Sequence, residues 1–192
     1  MAITHLIKGL LPSRHKRLLD DIRALPEGER LDKLGAIFYD ECVRQASDFV
    51  QSELLKKESP FRGRHHTAFF HELMAINFWS VARVFNGKTA GLMERLHRTY
   101  CRSYRITEGV GSGEAAAPPA LTEKYRTYNE SWNDVTGFQD LFGLRAAEHV
   151  FGKGTEFPSQ EASFWMVFYA HEVKKEFSEL KALCRARGIA VI

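Results

Sequence analysis

The feature that most constrains this chain is the segment TAFFHELMAINFWSVARVF, residues 67–85, which is apolar around most of a helical circumference. A helix with so little polar face belongs at the centre of a bundle, with other helices around it. The rest of the sequence supplies those neighbours. Apolar residues recur at spacings of three, four and seven almost throughout, and alternating strand patterns are nearly absent. The expectation is an all-α protein, a single helical-bundle-like domain of about seven helices over residues 1–192.

Helix-stopping residues set the expected boundaries. The first full helix should run from near Ser13 to before Pro26, with Leu18, Leu19, Ile22 and Leu25 inward. Pro26 opens the second, with Glu27 and Glu29 in the first turn, where the helix dipole favours acids. That helix runs to about Lys57 and buries Leu31, Leu34, Phe38, Cys42, Ala46, Phe49 and Val50. Its internal Gly35 costs about 1 kcal/mol relative to alanine. SPFRGRHH reads as a loop, Thr67 starts the central helix, and Asn86-Gly87 ends it. A fourth helix is expected from Thr89 to about Arg105. The stretch 106–120, ITEGVGSGEAAAPPA, has three Gly and two Pro and reads as a flexible connection.

Leu121, Tyr125, Tyr128 and Trp132 then mark a short helix, and Phe138, Leu141, Phe142 and Val150 mark the next, closed by Gly152 and Gly154. Pro158-Ser159 should cap a long last helix that carries Trp165, Met166, Tyr169, Val173, Phe177, Leu180 and Leu183 and stops at Gly188. Two apolar ends remain. Ile3, Leu6, Ile7, Leu10 and Leu11 form a short amphipathic stretch expected to dock on the protein's own body, and residues 189–192 are expected to pack on the body or on a second subunit.

Composition excludes several classes. With 44% apolar and 27% charged residues the chain has ample side chain to bury, so disorder over most of its length is ruled out. No run approaches the roughly 20 apolar residues that span a bilayer, and the N-terminus has no signal-peptide pattern. Cys42, Cys101 and Cys184 are odd in number and widely spaced, as expected of free thiols in a cytoplasmic protein.

Charge is concentrated in one place. The net charge is +3, yet residues 88–105 alone carry five Lys/Arg against one Glu. Within them Arg95, Arg98, Arg102 and Arg105 fall on one side of the fourth helix, opposite Leu92, Met93, Leu96, Tyr100 and Tyr104. Guanidinium groups suit bidentate contacts with carboxylate or phosphate. This ridge is the candidate anion-binding site, for an acidic protein surface, nucleic acid, or acids of the same chain.

Two histidines face apolar arcs. His71 lies amid Met74, Ala75, Phe78 and Phe85, and His149 lies beside Phe138 and Phe142. A buried imidazole needs a hydrogen-bond partner, a metal or a cofactor. His71, Phe78, Phe138, Phe142 and His149 are therefore the candidate ligand pocket, which would suit an apolar ligand, haem or a metal; no cofactor is expected on the leading reading. The neighbours His71-Glu72, Glu148-His149 and His171-Glu172 point about 100° apart and cannot share a ligand. Glu94, His97 and Cys101 do share a face, but parallel side chains on one helix leave little room to cradle a substrate. Arg64 and His71, with six residues between them including His65, show a spacing that some all-helical ribonucleases use. No phosphate loop, nucleophile elbow or paired Cys-x-x-Cys is present.

These readings favour a non-enzymatic interaction domain, self-associating, with the Arg ridge for an anionic partner. The alternatives are a pocket protein, sensor or enzyme, built on His71 and His149, and a nucleic-acid-binding protein or ribonuclease.

Overall fold

The computed structural model describes residues 11–86, 90–104, 119–134, 139–152 and 160–189. Among the described residues all regular structure is helical: α1 (Leu11–Arg23), α2 (Glu27–Leu55), α3 (His66–Val84), α4 (Ala90–Tyr104), α5 (Pro119–Ser131), α6 (Asp140–Phe151) and α7 (Gln160–Ala186). The all-α, bundle-like architecture expected from the periodicity is what the chain adopts. No helix among the described residues is long and apolar enough to cross a membrane.

The apolar helix α3 is the axis, as its circumference dictates. It packs against α2, α4, α5, α6 and α7, and Leu73, Met74, Ala75, Ile76, Phe78 and Val81 are all fully buried. Aromatic side chains lock the neighbours to it. Trp79 meets Tyr128 of α5 and Trp132 edge-on and stacks on Phe142 of α6, with ring centroids 5.1–5.7 Å apart. Phe38 of α2 stacks on Phe177 of α7 at 5.7 Å and meets Phe85 edge-on. Phe61, from the turn between α2 and α3, stacks on Phe69 at 4.4 Å, so that turn is anchored in the core.

Two glycines let helices approach closely. A Cβ at Gly35 of α2 would stand 3.0 Å from the Arg95 Cβ of α4, which accounts for a residue that otherwise weakens its helix. At Gly143 of α6 it would stand 2.6 Å from the Ser163 Oγ and 2.7 Å from the Val167 Cγ2 of α7.

Boundaries agree with expectation to within a few residues, and the differences have causes. The second helix stops at Leu55 because Lys56 turns to an extended conformation, where its ammonium and the Ser59 hydroxyl both reach back to Glu53. Helix α5 begins at Pro119, inside the expected flexible connection, since proline is well placed at a first helical position. Asn86 and Gly188 take positive φ angles of 54° and 64° at the ends of α3 and α7. Leu141, expected to carry α6 inward, is 49% exposed because it sits off the Phe142–Ala146 stripe. Expectations for residues 1–10, 105–118, Phe138, Gly154, Pro158-Ser159 and the tail beyond Ile189 lie outside the described residues. The three cysteines are free and buried.

Candidate functional site

The Arg ridge is divided. Arg95 forms an ion pair with Asp32 of α2 and donates to the Gly91 carbonyl at 3.0 Å. Arg98, about half exposed, pairs with Glu94 one turn earlier. Arg102 is exposed and has no ion pair among the described residues, and Arg105 lies outside them. One of the four thus ties α4 to α2, one is paired within its own helix, and Arg102 faces solvent.

His149 meets a carboxylate hub in place of the expected pocket, and His71 is held separately beside it. Glu72 of α3 is fully buried and takes hydrogen bonds from the Lys124 ammonium and the Tyr128 hydroxyl of α5. The His149 Nδ1 of α6 lies 2.9 Å from the same carboxylate. Burial alone would push the Glu72 carboxyl up. The His149 hydrogen bond and the Lys124 charge outweigh it and hold the group below its ordinary range. An ionised carboxylate only accepts, so His149 presents Nδ1–H to it. His71, next along α3, shares a 2.7 Å hydrogen bond with the Tyr100 hydroxyl of α4. Its pKa is lowered by burial and by the nearby Lys124 charge. Three helices, α3, α5 and α6, thus converge on one buried charge, and α4 is tied in beside it through Tyr100 and His71.

Phe78 and Phe142 of the expected pocket fill the core, and Phe138 lies outside the described residues. Phe78 packs against Tyr39, His97 and Tyr100, and Phe142 against Trp79, Tyr128 and Trp132. Among the described residues no group of three or more His, Cys, Asp or Glu is placed to hold a metal ion. In the Glu94–His97–Cys101 stripe, Glu94 is taken by Arg98 and His97 shares a 2.8 Å hydrogen bond with Tyr125. Burial pushes the His97 pKa down to about 4 and the Cys101 thiol up, which is the reverse of an activated thiolate. Arg64 stacks over the Phe151 ring at 4.3 Å while His71 is held by Tyr100, so those two side chains are engaged with different partners.

The outer face of α7 has a different character. Met166, Tyr169, Val173, Phe177 and Leu180 bury one stripe of the helix. On the opposite side Phe164 is 63% and Phe168 41% exposed, their rings stacked 6.5 Å apart. Exposed Leu141 lies on the neighbouring helix α6, whose first turn meets Ser163 through the Asp140 carbonyl. Glu161 is exposed before the two phenylalanines, and His171 and Lys175 are exposed after them.

Comparison with known protein families, curated proteins and solved structures gives no match. The arrangement of side chains therefore carries the functional argument. Two features were not singled out from sequence: the Glu72–Lys124 pair, whose signal is a lone acid in the most apolar helix, and the Phe164/Phe168 face, whose signal is two aromatics off the core stripe.

Proposed function

We propose that this protein is a non-enzymatic, all-helical interaction domain that pairs with a second copy of itself through the outer face of α7. The observation that carries this reading is the exposed Phe164–Phe168 stack on the side of α7 opposite its buried stripe. A buried Phe contributes about 1.5–3 kcal/mol relative to an exposed one, and contiguous apolar faces of this kind mark interaction sites. The charges favour a second copy as the occupant. Glu161 precedes the aromatic pair on this face and Lys175 follows it. Antiparallel pairing about a two-fold axis near Phe168 sets Glu161 of each copy toward Lys175 of the other, and such an isologous contact closes as a dimer.

The test is light scattering at micromolar concentration. The wild type should run at twice 22.0 kDa, and Phe164→Glu/Phe168→Glu should run at 22.0 kDa with unchanged helicity. A wild-type chain that stays at the lower mass throughout overturns the reading.

An anionic partner is the second reading, favoured by exposed Arg102 one turn beyond half-exposed Arg98. Such binding would weaken steeply as salt rises.

A further inference from the structure

A cleft of about 350 Å³ opens between the C-terminal end of α2, the turn that follows it and the N-terminal end of α7. Its size is that of a small-ligand site, and its walls include Glu53, Lys56, Glu58, Ser59, Glu161 and Trp165. Glu53 is 1% exposed. Its carboxylate accepts the Ser59 hydroxyl at 2.9 Å and pairs with the Lys56 ammonium. The same ammonium stands 5.2 Å from the centroid of the Trp165 ring. An alkylammonium ion is thus already held here between a buried carboxylate and an indole face, the two groups that recognise such cations. Glu58 and Glu161 add negative charge to the walls, which carry three carboxylates against the ammonium groups of Lys56 and Lys57. The Lys56 side chain is 46% exposed, so it has solvent to swing into.

We propose that this cleft binds alkylammonium ions, with Lys56 as its own occupant in the free chain. A lysine side chain in a peptide and a free quaternary amine share this chemistry. The site adjoins the self-association face but is built from other groups: the Trp165 ring, which meets Phe164 and Phe168 edge-on at 5.9 and 5.7 Å, also faces Lys56 and through it the buried Glu53.

Nitrogen-15 NMR of the indole groups in the full chain provides the test. Trp79 and Trp132 donate to Asn129 and Asp134, at 2.9 and 2.7 Å, and serve as internal references. Tetramethylammonium chloride and N-acetyl-lysine methylamide are the probes, each titrated against matched sodium chloride. The Trp165 resonance should shift saturably while the other two stay fixed. Lys56→Ala should bind about tenfold more tightly, because the internal competitor is gone and the buried Glu53 carboxylate lacks its cation. In Trp165→Leu, the backbone amide shifts of Ser59 and Glu161 should no longer respond.

Saturation by the lysine derivative assigns the ligand to a peptide, and saturation by tetramethylammonium alone assigns it to a free quaternary amine. The proposal is overturned if neither probe moves Trp165 beyond the salt control. It is also overturned if Lys56→Ala binds no more tightly than the wild type, or if Trp165→Leu still responds.

Discussion

Replacing Glu72 by Gln tests whether the convergence of three helices on one buried carboxylate is what fastens α5 and α6 to α3. The substitution keeps the side-chain shape. It removes the charge and puts an amide NH2 where two oxygens now accept from Lys124, Tyr128 and His149, so at least one donor must face another donor. A hydrogen bond to a charged group contributes roughly 1.5–3 kcal/mol, and breaking a buried pair from one side costs roughly 3–5 kcal/mol. Part of that is recovered here, because the Lys124 and His149 side chains are 25% and 21% exposed and can turn to water. Tyr128 cannot, being fully buried. The expected loss is about 3 kcal/mol, read from urea unfolding at pH 7 as a lower midpoint with unchanged slope. The pH arm has a definite sign. A carboxyl held below its unfolded value of 4.5 contributes stability that is present above that value and is lost as pH falls through the lower, folded value. The wild type should therefore lose stability on acidification below 4.5 more steeply than Glu72→Gln does. A variant within about 0.5 kcal/mol of the wild type at pH 7, the range of an ordinary surface change, would refute the reasoning.

Three further outcomes are expected. Burial, then the charge of Glu41, pushes the Glu176 carboxyl up to about 7 against the opposing pull of Arg44 and Gln45. Stability from a raised acid is full below its ordinary value of 4.5 and is lost as pH rises through about 7. Glu176→Gln should therefore gain about 1–2 kcal/mol over the wild type at pH 8 relative to pH 5 in urea unfolding, a figure already reduced because a third of the side chain is exposed. Gly143→Ala sets a helix-propensity gain of about 1 kcal/mol against a collision with the Ser163 carbonyl; backbone cannot yield cheaply, so thermal unfolding should show a net loss of about 2 kcal/mol. Arg95→Glu, which reverses the contact with Asp32 and removes the Gly91 bond, should cost about 1–2 kcal/mol, while Arg102→Glu stays within about 0.5 kcal/mol and abolishes any salt-sensitive polyanion binding seen by fluorescence anisotropy.

The parts of this molecule that were legible in sequence are those set by short-range periodicity. The central position of α3 follows from a circumference with almost no polar face, and the stops at Asn86 and Gly188 follow from residues that tolerate positive φ. Pairing across helices is not periodic, and there the sequence was silent. Glu72 is adjacent to His71 in the chain, yet a helix turns neighbours about 100° apart, so its imidazole partner is His149, from another helix. The Arg ridge shows the same limit: four guanidiniums on one face are visible along α4, but Asp32, which takes Arg95, comes from α2. Gly35 reads as a weak point in a helix until Arg95 is seen packed over it. The α7 face is the instructive contrast. Phe164 and Phe168 lie opposite the stripe of Met166, Tyr169, Val173 and Phe177 at helical spacing alone, so their exposure could be read without a fold. What required the fold was the fit of the adjoining helix, where Gly143 lets α6 settle against Ser163 and Val167. That close approach covers the side of α7 next to the core stripe and leaves Phe164 and Phe168 as the exposed apolar side chains that carry the proposed interface.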